Sequence, residues 1–220
     1  MQVQTGYLNK VDGSSHYENK SVKVICSVTG PIEPKARQEL PTQLALEVTV
    51  RPAIGVPTTR EITLQDKIRG VISPIICRYK YPRQLCQITL QILESGEEET
   101  LFNVKELIGC INSTVFALID AAIAINSIAV GVSMAVMGDG TFIVDPSNEQ
   151  LKKSVSTHAL VFQLVDGSKV VENVLLLDSF GNFDESTLFE VLEYGEKHAL
   201  SLAKDFRKTI ETKIKKDLFM

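Results

Sequence analysis

Three separate stretches of this chain alternate apolar and polar residues with a period of two, and one long stretch among them repeats at helical spacing. Together they leave few folds open. Val22, Val24, Cys26 and Val28 stand against Lys23 and Ser27 in the first stretch, which Gly30-Pro31 ends. Over 43–51, Leu44, Leu46, Val48 and Val50 oppose Glu47, Thr49 and Arg51; over 85–93, Cys86, Ile88, Leu90 and Ile92 oppose Gln87, Thr89 and Gln91. Successive strand side chains point to opposite faces, so each stretch reads as a strand with one face in a core. Val104, Leu107, Ile108, Ile111, Val115, Leu118, Ile119 and Ala122 instead lie on one stripe of a helix. Half-buried strands joined through such a helix call for a layered α/β or α+β fold, a mixed sheet with helices packed on it.

The remaining segments fit that plan. Thr58 or Thr59 can cap a helix carrying Ile62, Ile68, Ile72, Ile75 and Ile76, which Pro74 kinks or ends. Strands are expected at 127–137 and 140–145, joined by the hairpin signal Gly138-Asp139-Gly140 and closed by Asp145-Pro146. Two more fit 154–165 and 170–178, and a last helix from Asp184 to Ile214 places Leu188, Val191, Leu192, Ala199, Leu202, Phe206 and Ile210 on one side. No low-complexity linker or strong internal repeat divides the chain, so one domain over 1–220 is the simplest organisation.

Composition narrows the function. With 44% hydrophobic and 23% charged residues and a net charge of −4, the chain has globular composition. Its acidity argues against gripping nucleic acid with the whole surface but permits a local basic groove. Arg51, Arg60, Lys67, Arg69, Arg78, Lys80 and Arg83, set against Glu61 and Asp66, make such a segment. The basic run Lys204 to Lys216 reads as a solvated helix face. Cys26, Cys77, Cys86 and Cys110 lie far apart in apolar runs, without metal or redox spacing, and are expected to be buried thiols. The start MQVQTGYLNK has no apolar h-region, and Val115 to Met137 is broken by Asp120, Asn126 and Gly131. The first is not a signal peptide; the second reads as helix then strand, not a membrane span. Among the histidines, His158 shares a strand face with Leu160, Phe162 and Leu164 and is expected in the core, whereas His16 and His198 are expected in a loop and on a helix flank.

The stretch "LESGEEETLFN" (93–103) is the chemically unusual one. It joins a strand to a helix, where backbone N–H groups can cradle an anion, yet it sets four glutamates within 94–99. A millimolar phosphate site is worth about 4 kcal/mol. One carboxylate about 4 Å from a phosphate charge costs a similar amount at an effective dielectric near 20. Glu97, Glu98 and Glu99 therefore forbid phosphate there unless they point away; read as a solvated acidic insertion, they forbid it too.

Several motifs in order resemble the RNase PH family: "DGSSHYENKSVKVICSVTGPIEPKARQELP" (12–41), "TREI" (59–62), "YPRQ" (81–84), "ALIDAAI" (117–123) and "IVDP" (143–146). Detail is closest to the members that build the ring of the eukaryotic RNA exosome. The resemblance implies an RNase PH-type domain that pairs with homologous subunits in a six-membered ring around an RNA channel. Cap subunits, an associated catalytic nuclease and threaded RNA would complete the assembly, in the nucleus (including the nucleolus) and the cytoplasm. Active members cleave RNA from the 3′ end with phosphate, held by a Gly-Gly-Ser/Thr-Arg loop, with aspartates supplying the acid. At the loop this chain offers Glu97-Glu98-Glu99-Thr100 or Val104-Lys105-Glu106-Leu107, depending on which neighbouring segment anchors the comparison. At the two aspartate positions it has Leu151 and Thr157, with Asp145 left as a turn former. The expectation is no catalytic residue, no cofactor and no metal, with Arg60, Arg83 and Arg69 as RNA-path contacts through phosphate. An active 3′ exoribonuclease working as a homodimer is the alternative.

Overall fold

The structure is a computed structural model that describes residues 1–166 and 169–218, with side chains through residue 215, so the side chain of Lys216 lies outside the described residues. Among the described residues, nine strands form two sheets. In the first, β1 (Gln2–Thr5), β2 (Gly13–Asn19), β3 (Val22–Ile32), β4 (Ala45–Arg51) and β5 (Leu85–Glu94) lie in the order β1-β2-β3-β5-β4. All pairs are antiparallel except β4 with β5, whose parallel register requires a crossover, and α1 (Thr59–Ile75) supplies it. The second sheet, wholly antiparallel, orders β6 (Ile128–Met137), β7 (Phe142–Val144), β8 (Ser154–Val165) and β9 (Val170–Gly181) as β7-β6-β8-β9. Helices α2 (Val104–Asp120), α3 (Asn148–Lys153) and α4 (Glu185–Leu218) complete the described residues. The mixed sheet anticipated from the sequence is thus the first of two.

Most expected elements stand close to where the periodicity puts them. Thr58 caps α1 through a capping box with Glu61, and the helix runs one residue past Pro74. Ile62 is an exception: it is exposed, and the buried face of α1 is Leu64, Ile68, Val71, Ile72 and Ile75. All four cysteines are free and buried. Among the described residues no helix is long and apolar enough to cross a membrane.

Helix α2 lies between the sheets, against β2, β3 and β5 of the first and β6 and β8 of the second. Every residue from Val104 to Leu118 is buried. The single apolar stripe read from the sequence is only its face toward the larger core; Phe116 points the other way, onto Phe206 of α4, with ring centroids 4.5 Å apart. This packing explains why β2 escaped sequence analysis. Its face toward α2 carries Gly13 and Ser15, because α2 passes close there, and Ser14 on the other face is buried with its hydroxyl on the N–H of Leu8. A Cβ on Gly13 would stand 2.3 Å from the backbone nitrogen of Ala121. His16 accordingly sits on a strand rather than in a loop, stacked on Tyr7.

Polar residues of α2 fasten the layers. Asp120 accepts from the N–H groups of Ser14 (2.8 Å) and Gly6 (3.1 Å) and pairs with Lys213 of α4. Ser15 donates to the carbonyl of Ser113 at 2.7 Å. Asn112 imitates a strand: its Oδ1 accepts from the N–H of Gly131 (2.8 Å) and its Nδ2 donates to that residue's carbonyl (3.1 Å). Truncating Asn112 strands two buried backbone groups, each costing about 1–3 kcal/mol. Asn112→Ala is therefore expected to lose roughly 2–4 kcal/mol of stability by urea denaturation; a loss below about 0.5 kcal/mol would show that the clamp does not hold the second sheet.

Candidate functional site at the start of helix α2

The acidic loop does not lie in solvent as an insertion would. Gly96 takes φ +66° and packs so tightly on Ser21 that a Cβ there would come 2.3 Å from its hydroxyl oxygen. That turn sends Glu97 inward, to 7% exposure. Its Oε1 accepts from the N–H of Glu106 at 2.9 Å. Asn103, the residue at the N-cap position, makes no side-chain capping bond. The first N–H groups of a helix have no intrahelical partner and carry the positive end of its dipole. Here a carboxylate from the preceding loop serves them. Glu98, by contrast, stays partly exposed and pairs with Lys152 at 2.6 Å, and Glu99 is exposed.

Arg60 closes the joint from α1. Its guanidinium donates to Glu61 Oε1 (3.2 Å) and to the carbonyl of Phe102 (3.2 Å), and it pairs with Glu106 Oε2. Glu61 Oε2 in turn accepts from both the N–H and the hydroxyl of Thr58, each at 2.6 Å. Lys105, 2% exposed, donates from Nζ to Ser21 Oγ (2.7 Å) and the carbonyl of Gly96 (3.3 Å). Burial pushes Glu106 up to about 7 against the opposing pull of Arg60, and burial also raises Glu97 and lowers Lys105. Two oxygens, Glu97 Oε2 and Glu106 Oε1, are buried without a partner.

A pocket of about 460 Å³ opens beside the joint. Arg60 and residues 99–104 form one wall; Leu151 and Lys152 of α3, residues 154–157 of β8, and Phe180 form the other. Leu151 (1% exposed) and Thr157 (4%) therefore do face the region where acid chemistry would be needed, and neither can donate or take a catalytic proton. Asp145 is not part of this pocket. It adopts φ +54°, accepts from Asn19 Nδ2 (3.0 Å) and pairs with Lys20 (3.2 Å), as suits a turn former. His158 is fully buried between the hydroxyls of Ser156 (2.9 Å) and Ser179 (2.8 Å), and burial holds it down to about 4. Among the described residues no group of three or more His, Cys, Asp or Glu could hold a metal ion.

The structure does not bring the three arginines singled out from the sequence together. Arg60 belongs to the joint: its side chain is 22% exposed and its terminal nitrogens are engaged by Glu61, Glu106 and the carbonyl of Phe102. Arg69 is 56% exposed and paired with Asp66 at 2.6 Å, on a separate groove between α1 and the edge strand β4. Arg83 has the most open side chain, 72% exposed and 3.5 Å from Glu39. Sequence reasoning counted Glu61 only as a charge. The spacing Thr58-x-x-Glu61 was the signal of its capping role.

The joint has a titration signature. Unfolded, Glu106 loses its proton near 4.5; folded, it keeps it to about 7. Between those values the folded chain holds the extra proton, so this group's contribution to stability falls as pH rises. Glu97 acts in the same direction, whereas His158, depressed from 6.5 to about 4, acts in the opposite one. Glu106→Gln removes the falling component. From pH 4.5 to 7 the variant is expected to gain stability relative to the parent chain, by at most about 3 kcal/mol. Parallel stability–pH curves would refute the buried, protonating carboxyl.

Comparison with known proteins agrees with this geometry. Residues 1–124 match domain 1 of the 3′ exoribonuclease family, described as RNase PH, and residues 127–198 match its domain 2. Over 215 residues the chain is 56% identical to the exosome complex component RRP46 of Saccharomyces cerevisiae, covering 97% of this chain and 96% of that one. It is 30% identical over 205 residues to the exosome complex component rrp46 of Schizosaccharomyces pombe, covering 93% and 87%. Among solved structures, rice (Oryza sativa) Rrp46 superposes with a TM-score of 0.83 at 22% identity, over 95% of this chain and 92% of that chain. An Archaeoglobus fulgidus exosome with RNA bound to the active site gives 0.73 at 17% identity, over 93% and 88%. At such identities the structural likeness is one of fold, while the sequence relatives carry the kinship. The family matches span both sheets and the helix between them, and the chain belongs to the RNase PH family of 3′ exoribonucleases.

Proposed function

We propose that this chain is a non-catalytic subunit of an exosome core ring, where it pairs with homologous RNase PH-like subunits and scaffolds 3′-to-5′ RNA processing and degradation by others. Ribosomal RNA maturation and RNA turnover are the tasks this assigns to it, in the nucleus, including the nucleolus, and in the cytoplasm. Cap subunits and an associated catalytic nuclease are its further partners, and RNA threads the ring. Support for membership comes from the 56% identity to the yeast exosome component. One observation carries the inert reading: next to the pocket, the helix start is occupied by Glu97 and the guanidinium of Arg60 is engaged by Glu61 and Glu106, while Leu151 and Thr157 line the pocket's opposite wall. The N–H of Glu106 and both terminal nitrogens of the Arg60 guanidinium are thus already engaged, and neither Leu151 nor Thr157 is an acid for the leaving oxygen.

Any RNA contact falls to the exposed cations. Arg83 is the better candidate and Arg69 the next, since Arg60 already ties α1 to α2. A contact made through phosphate is insensitive to base sequence and shows itself in the salt dependence of binding.

Two outcomes test this reading. The purified chain, given 3′-labelled RNA and inorganic phosphate, should release no nucleoside diphosphate. Phosphate-dependent release that survives contaminant controls would instead establish the homodimeric exoribonuclease. In an assembled ring of verified composition, Arg83→Glu should weaken RNA binding and lower the salt slope by roughly 0.7 for each single-strand phosphate that the side chain no longer neutralises. Unchanged affinity and slope would make Arg83 a solvated charge.

A further inference from the structure

Strand β4 is a free edge of the first sheet, and a groove of about 770 Å³ runs between it and α1. Its parallel register with β5 engages the backbone of Ala45, Glu47 and Thr49, which turns the N–H and C=O groups of Leu46 and Val48 toward the open side. Among the described residues no strand or loop backbone meets those four groups. An edge left this way is a template for another strand. The helix wall of the groove is cut back at Gly70. A glycine inside a helix is destabilising relative to alanine, yet a Cβ here would meet nothing within 4 Å. The chain's own packing does not require this glycine; what its missing side chain keeps is room in the groove.

The charges beside the groove indicate the occupant. Glu47 accepts from two amides, Gln38 Nε2 at 3.2 Å and Gln87 Nε2 at 2.7 Å, and Asp66 is paired with Arg69. Arg78 has no carboxylate partner among the described residues. Its Nε donates to the carbonyl of Leu44 (2.9 Å) and its Nη1 to the hydroxyl of Ser73 (3.0 Å), and burial alone pulls the guanidinium down. A half-buried cation held only by neutral acceptors is completed by a carboxylate, the acceptor a guanidinium binds most strongly. We propose that the groove between α1 and β4 docks an extended segment of another protein chain, which adds to the first sheet beside β4 and sets a carboxylate against Arg78. Main-chain bonds to Leu46 and Val48 supply the affinity and Arg78 the selectivity, the division of labour in strand addition. The groove shares no residue with the pocket beside α2, so the proposal stands whether or not the chain is inert.

The test titrates the isotope-labelled full-length chain with the acetylated and amidated pentapeptide Thr-Val-Glu-Val-Thr, followed by the amide resonances. Saturable shifts are expected at β4 and the facing turns of α1, and hydrogen exchange at Leu46 and Val48 should slow. A peptide with Gln at its centre should bind about tenfold more weakly, as should the Glu peptide to Arg78→Met. A peptide with both valines replaced by proline cannot donate to the edge and should not bind. Gly70→Leu fills the groove; it should keep or raise Tm and abolish binding. Absence of saturable shifts at β4 would overturn the proposal, as would equal binding of the Gln or proline peptide or indifference to Arg78→Met. If the same resonances move with an oligouridylate, or with the concentration of the chain itself, the occupant is RNA or a second copy and the proposal falls. Should Arg78→Met fail to fold, the Glu and Gln peptides on the parent chain make the same comparison.

Discussion

A helix that starts inside a protein brings unpaired N–H groups and a positive dipole end into a medium that penalises both. Helix α2 does this, buried on all sides from Val104 to Leu118 between two sheets. The rest of the architecture depends on neutralising that start. Glu97 caps it, Arg60 balances the neighbouring Glu106, and Glu61 orients Arg60 while closing the capping box of α1 on Thr58. One polar chain thus locks the first turns of two helices to the loop that leaves β5. The far end of α2 is held in the same manner, by Asp120 gathering β2, the turn after β1, and α4.

The same geometry sets what the site offers a ligand. Donors at a helix start and a nearby guanidinium are the parts an anion-handling enzyme needs, but here each is satisfied from within. The balance between Glu97, Glu106, Lys105 and Arg60 is kept by burial and by a proton on Glu106 near neutrality, not by a ligand. Leu151 and Thr157 stand on the facing wall of the pocket. What was expected to be an acidic loop repelling phosphate is a structural plug made from the same residue type.

Much of this was legible in the sequence, and the gaps have physical causes. The alternations at 22–28, 43–51 and 85–93 mark strands because each has one polar face. Strand β2 could not be read that way, since Gly13 and Ser15 face the closely approaching α2 where bulky apolar groups would otherwise sit, and the opposite face buries the polar Ser14. Helix α3 has a single buried residue, Leu151, and so no stripe, although Ser147 and Gln150 form a capping box. At the site, the run of glutamates was visible in the sequence, as were Leu151 and Thr157, which the fold places on one wall of the pocket. The fate of Arg60 was not readable, because its partner Glu106 lies 46 positions away. Nor was that of Glu97, since only the turn at Gly96 decides which glutamate goes inside. Arg83, judged by charge alone, does stand open to solvent.

The charged groups at the start of α2 engage one another as a structural joint. A double-mutant cycle tests this most directly, with unfolding free energies measured at pH 8 for the parent chain, Arg60→Met, Glu106→Met and the double variant. A structural joint predicts that each single change strands a buried charge, so the double variant should be more stable than the sum of the single losses implies, by about 2 kcal/mol or more. Losses that add to within about 0.5 kcal/mol would contradict it, leaving Arg60 energetically free of Glu106.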